Sequence, residues 1–162
     1  MLPGSFLPDQ EKLNLHSKHT FISSSPQETM DIGKKIAKNL DKCDIIAIKG
    51  VLGAGKTCLV KGIGDFFEIN DITSPTYTIV SEHEAKIRGE SLAFFHIDAY
   101  RLNGDDDFNS MGGEEYLYSN GIAVVEWSER ISKAIPSSAI NIEIEIKGEN
   151  SRTIHINRDK TD

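Results

Sequence analysis

Cysteine is nearly absent from this 162-residue chain, with Cys43 and Cys58 the only two. Neither stands at metal-ligand spacing, so both are expected to be buried or half-buried thiols in a reducing compartment rather than a disulfide. No apolar run approaches the roughly 20 residues needed to cross a bilayer. The N-terminal stretch lacks a charged region followed by an apolar one, so neither a membrane contact nor a signal peptide is expected. Positive charge is also short: 18 Lys and Arg against 25 Asp and Glu leave a formal net charge of −7. A protein that grips nucleic acid unaided usually shows a basic stripe. Strong direct binding to DNA or RNA is therefore not expected, and any such link should run through a partner. Internal repeats and low-complexity segments are missing too.

What is present suits a globular chain. Hydrophobic residues make up 38% and charged residues 27%, enough for one soluble domain with a real core. Residues 1–19 read as an N-terminal lead-in, 20–158 as the domain and 159–162 as a tail. Thr20 to Ser23 reads as a short strand. Ser25-Pro26-Gln27-Glu28 reads as a helix start, with Ser25 as N-cap, Pro26 in the first turn and Glu28 closing a capping box. Met30, Ile32, Ile36, Ala37 and Leu40 supply the apolar stripe, and Asn39 to Asp41 ends that helix. The run 76–80 reads as a strand, as do Leu92 to Ile97 and Ile122 to Val125. Asn103 to Asn109 reads as an acidic loop and Gly113 to Tyr118 as a short helix. Ile140 to Ile146 and Arg152 to Ile156 alternate around Lys147-Gly148-Glu149-Asn150, the pattern of a C-terminal β-hairpin.

Residues 50–57 carry the strongest chemical signal. Gly50-Val51-Leu52-Gly53-Ala54-Gly55-Lys56-Thr57 completes the pattern G-x-x-x-x-G-K-[ST]. Its glycines let backbone N–H groups close around phosphates; Lys56 would reach the outer phosphates and Thr57 would offer its hydroxyl to a metal. The context fits, because Asp44 to Lys49 is β-rich and apolar, while Leu59, Val60, Ile63, Phe66 and Phe67 have helical spacing. The expected ligand is a nucleoside triphosphate with Mg²⁺.

Two apolar strands stop at an acid, Asp98 and Glu126. In open α/β sheets ligands bind outside the carboxyl ends of the strands, so either acid could help hold Mg²⁺ while the other orients or deprotonates water. His96 and Tyr100 share the face of Asp98 if that strand runs on. Trp127, the only Trp, is a core residue by default or a stacking partner for a base. Asp105-Asp106-Asp107 reads as a solvated loop.

Ser74-Pro75-Thr76-Tyr77, His96-Ile97-Asp98-Ala99-Tyr100-Arg101-Leu102 and Val125-Glu126-Trp127, in that order around the loop, resemble the TsaE (YjeE) family of small bacterial P-loop ATPases. The likeness runs from about Phe21 to Ile156. It implies an α/β fold, a P-loop NTPase-like three-layer domain with a mixed, mostly parallel sheet and the C-terminal β-hairpin. It implies a cytoplasmic ATPase using ATP and Mg²⁺ to support threonylcarbamoyl modification of adenosine 37 in tRNAs reading ANN codons. The implied partners are a TsaD-like carbamoyl-transferase subunit and a TsaB-like paralogue, and the ATPase itself transfers no group.

By the same resemblance Gly53, Ala54, Gly55, Lys56, Thr57 and Cys58 would cradle the nucleotide. Thr57 and Glu126 would hold Mg²⁺, and Lys56 and Asp98 would be catalytic. Trp127 would lie near the adenine, Thr76 and Tyr77 would form a switch-like segment, and Arg152 would approach the nucleotide. Val51 replaces the family's usual Asp, and Cys58 its usual second Thr. The rival readings are a small-molecule phosphotransferase and a nucleotide-dependent binding switch without turnover. No arginine-rich lid can be assembled for the first, and a GTPase is disfavoured because the N-K-x-D signature is absent.

Overall fold

The computed structural model describes residues 13–15, 17–73 and 78–158. Strands β1 (His19–Ser23), β2 (Ile45–Lys49), β3 (Val80–Ile87), β4 (Glu90–Asp98), β5 (Ile122–Glu126), β6 (Ile140–Ile146) and β7 (Arg152–Arg158) form one sheet. Its order is β1-β7-β6-β2-β5-β4-β3. The central strands β6, β2, β5 and β4 run parallel. Antiparallel partners close both flanks, β7 and β1 on one side and β3 on the other. The sheet is therefore mixed, with its parallel part at the centre. Parallel strands need cover on both faces, and β2 and β5 show it: every residue of β5 is buried, as is all of β2 but Lys49.

Alternation sorts the side chains into two cores. Ile46 and Ile48 of β2 face helices α1 (Pro26–Ala37) and α2 (Lys56–Phe66), among Ile36, Leu59, Ile63 and Phe94. Ile45 and Ala47 face the other way, with Phe95, Ile97, Phe108, Leu117 and Ile131. That second face is covered by α3 (Asp105–Ser110), α4 (Gly113–Leu117) and the 3₁₀ turns Ala99–Arg101 and Ser128–Ile131. The three layers match the expectation.

Helix α1 starts as the sequence predicts, with Ser25 Oγ accepting from the Glu28 N–H at 3.1 Å and Pro26 in the first turn. It meets α2 closely, because a Cβ on Gly62 would fall 2.1 Å from the Met30 carbonyl oxygen. Only glycine permits that approach, which sets α2 and the loop before it against α1.

Several expectations are corrected. The strand expected over 76–80 is β3 at Val80–Ile87, and residues 74–77 lie outside the described ones. An edge strand exposed on one face tolerates Glu, His and Lys, which hides it from an apolar search. It turns into β4 through Arg88 and Gly89, both left-handed (φ 49° and 80°), as a two-residue hairpin turn requires. The acidic stretch expected as a loop contains α3, because Asp105, Asp106 and Asp107 occupy a first turn where the helix dipole favours negative charge. Cys43 is exposed rather than buried, Cys58 is partly buried, and both thiols are free.

Candidate functional site

β2 ends at Lys49 and α2 begins at Lys56, so residues 50–55 form the turn between a buried parallel strand and a helix N-terminus. Gly53 (φ 82°) and Gly55 (φ 107°) are left-handed, and nothing lies within 4 Å of a Cβ built on either. Backbone conformation rather than crowding therefore demands glycine there. Gly55 caps α2 without a side-chain hydrogen bond, leaving the first-turn N–H groups to an anion.

A cleft of about 400 Å³ opens beside the loop, lined by Leu52, Gly53, Gly55, Lys56, Thr57, Cys58, Asp98, Tyr100, Glu126 and Trp127. The size suits a small-molecule site. The structure thus brings Gly53, Gly55, Lys56, Thr57, Cys58, Asp98, Glu126 and Trp127 to one place. Asp98 and Glu126 are register partners on the parallel strands β4 and β5, so the two acids stand side by side. Asp98 Oδ1 also accepts from the Tyr100 N–H at 3.0 Å, capping the 3₁₀ turn. Thr57 Oγ1 donates to Glu126 Oε1 at 2.9 Å and to Oε2 at 3.2 Å. Two hard oxygen donors therefore meet beside the phosphate loop.

Beneath Glu126 sits His96, fully buried, with Nε2 hydrogen-bonded to Glu126 Oε2. Its Nδ1 is buried without a hydrogen-bond partner. The sequence placed His96 on the face of Asp98; the structure adds that it supports Glu126, a contact between strands that spacing along one strand does not reveal.

Lys56 Nζ donates to the carbonyls of Gly50 and Val51 and lies 3.9 Å from the centre of the Trp127 ring. Burial pushes the Lys56 ammonium below its ordinary pKa of 10.5, opposed by the carboxylates of Glu126, Glu129 and Asp98. Trp127 is itself left-handed (φ 58°, ψ 41°), a conformation that costs a bulky residue about 1–3 kcal/mol. Its ring is 4.8 Å from that of Tyr100, and the Arg130 guanidinium stands 5.1 Å over Tyr100. Trp127 thus lines the cleft while packing, half-buried, against the second core, and it touches Lys56.

Arg152 is not in this cleft. Its Nε donates to the Ala54 carbonyl at 3.0 Å, Nη2 to that of Gly53 at 3.3 Å and Nη1 to that of Gly148 at 3.0 Å. The side chain braces the loop from the β7 side, through the loop carbonyls of Gly53 and Ala54. Ala54 is fully buried under this brace. Thr76 and Tyr77 lie outside the described residues. Among the described residues no helix is long and apolar enough to cross a membrane, and no group of three His, Cys, Asp or Glu is arranged to hold a metal.

Residues 23–154 match the family model described as threonylcarbamoyl adenosine biosynthesis protein TsaE. The chain is similar to the tRNA threonylcarbamoyladenosine biosynthesis proteins TsaE of Aquifex aeolicus and Bacillus subtilis. The first is 36% identical over 85% of this chain and 94% of that protein, the second 34% over 80% and 79%. That of Treponema pallidum is 32% identical over 83% and 97%. The crystal structure of Bacillus subtilis YdiB superposes with a TM-score of 0.67 at 30% identity, covering 86% of this chain and 84% of that one. With its fold and residues 23–154, the phosphate loop among them, matched, the chain belongs to the TsaE family of threonylcarbamoyladenosine biosynthesis.

Proposed function

We propose that the protein is a Mg²⁺-dependent ATPase that supports threonylcarbamoyl modification of adenosine 37 in tRNAs reading ANN codons. It acts with a TsaD-like carbamoyl-transferase subunit and a TsaB-like paralogue and does not transfer the group itself. The observation that carries the hydrolytic reading is the Thr57–Glu126 contact at the mouth of the phosphate loop, with Asp98 beside it.

The loop N–H groups and the N-terminus of α2 bind the phosphates. Lys56 leaves the Gly50 and Val51 carbonyls to meet the outer phosphates. Thr57 and Glu126, oxygen donors in contact, fit a hard divalent cation such as Mg²⁺. Held there, the cation would supply positive charge that offsets the negative charge of the outer phosphates. Asp98 orients or deprotonates the attacking water from the neighbouring strand end. Lys56 is the one Lys or Arg among the described lining of the cleft, which argues against a phosphotransferase needing several cations for a second substrate. The net charge of −7 agrees with tRNA being handled by the partners.

The test is phosphate release from Mg-ATP, with titration calorimetry for binding. Asp98→Asn is expected to lower turnover about 100-fold while ATP affinity changes by less than about threefold. Phosphate appearing on a metabolite rather than in water would overturn the reading.

A further inference from the structure

His96 on β4 is the register partner of Val124 on β5, and Glu126 follows Val124 on the same face of that strand. The pleat therefore sends the imidazole and the carboxylate to one side of the sheet. Both are enclosed, His96 completely and Glu126 with 3% of its surface exposed.

The two carboxylate oxygens meet different partners. Oε2 takes His96 Nε2 and the longer of the Thr57 contacts, at 3.2 Å. Among the described residues, Oε1 is hydrogen-bonded by Thr57 alone, at 2.9 Å. The orphaned ring nitrogen settles where the imidazole hydrogen lies. Nδ1 is buried without a partner among the described residues. A hydrogen there would be an enclosed donor with nothing to accept it, a rarer and costlier defect than a bare acceptor. The hydrogen is therefore on Nε2, which donates it to Glu126 Oε2.

That donor limits what Glu126 can offer a cation. Ca²⁺ gathers roughly six to eight oxygens and readily takes both oxygens of one carboxylate, whereas Mg²⁺ keeps a strict octahedron with few protein ligands. With Oε2 held by His96, Glu126 has Oε1 left to give beside the Thr57 hydroxyl. We propose that His96 determines metal specificity: by donating to Oε2 it holds Glu126 to single-oxygen coordination and so favours Mg²⁺ over Ca²⁺. His96 does not line the cleft; it is a positioning residue that acts through Glu126. The inference rests on the Mg²⁺-binding reading above.

The test measures binding rather than turnover. The β,γ-imido analogue of ATP is titrated calorimetrically with saturating Mg²⁺, with saturating Ca²⁺ and with EDTA. The proteins are the wild type, His96→Leu and His96→Gln. In the wild type, Mg²⁺ is expected to strengthen binding about tenfold more than Ca²⁺ does. His96→Leu frees Oε2 and should bring the two metals to within about twofold of each other. His96→Gln puts an amide donor in place of Nε2 and should keep the preference within about threefold of the wild type. Long-range proton–nitrogen NMR spectra of the wild type should show the His96 hydrogen on Nε2 and none on Nδ1, a readout that stands even if His96→Leu fails to fold. A Leu variant that keeps the wild-type preference, a Gln variant that loses it, or a hydrogen on Nδ1 would overturn the inference and leave the Mg²⁺ reading standing. So would a wild type helped equally by both metals. A wild type in which neither metal improves on EDTA would remove both the inference and the reading beneath it.

Discussion

Thr57 donates its hydroxyl to both carboxylate oxygens of Glu126, at 2.9 and 3.2 Å, joining the first turn of α2 to the end of β5. The two residues therefore act as a unit. Thr57→Ala and Glu126→Ala are each expected to lower Mg-ATP hydrolysis about 100-fold. The double variant should lose little more than either single one, as coupled neighbours do. Phosphate-release rates at saturating ATP decide it, and fully additive losses would show that the two residues work separately.

His96 lies beneath that unit with no exposed surface. Replacing it with Leu leaves the buried Glu126 carboxylate without its imidazole partner. A loss of about 3 kcal/mol in unfolding free energy is expected, read from urea denaturation. A change below about 1 kcal/mol would mean that the contact is incidental.

Arg152 holds the loop from behind by its carbonyls. Arg152→Ala is expected to weaken ATP about tenfold by freeing Gly53 and Ala54, and Arg152→Lys should not restore binding because an ammonium lacks the planar fork. Restoration by Lys, in the same calorimetric titration, would point to charge rather than geometry.

Burial pushes the Cys58 thiol above its ordinary pKa of 9.0, with Lys61 opposing. The thiolate is the reactive form, so a raised pKa lowers its fraction at any given pH. Alkylation of Cys58 by iodoacetamide should be slow at neutral pH and should still be rising with pH at pH 9, where an ordinary thiol is half ionised. Because Cys58 lines the cleft beside the phosphate loop, ATP should protect it and should leave the exposed Cys43 unprotected. Mass spectrometry of the two peptides reads both effects.

Much of this site could be read from the sequence because its parts are local. The loop motif, the apolar strands ending at Asp98 and Glu126 and the C-terminal hairpin each announce themselves within about ten residues. What escaped was non-local or poorly patterned. β3 hid because an edge strand carries charges. α3 hid because three consecutive Asp residues look like solvent until the helix dipole is considered. The His96–Glu126 contact joins neighbouring strands, and the bond from Arg152 to Ala54 spans 98 residues. Trp127 resting on Lys56 depends on a left-handed backbone that no residue-type preference suggests.

In the proposed function, this loop and these acids hydrolyse ATP in the service of a tRNA-modifying assembly. ATP hydrolysis by the protein alone and with a TsaD–TsaB pair, for the wild type and Glu126→Ala, tests it most directly. The account predicts weak turnover alone, stimulation by the pair and loss of both in Glu126→Ala. A pair that neither binds nor stimulates, together with full activity in Glu126→Ala, would contradict it.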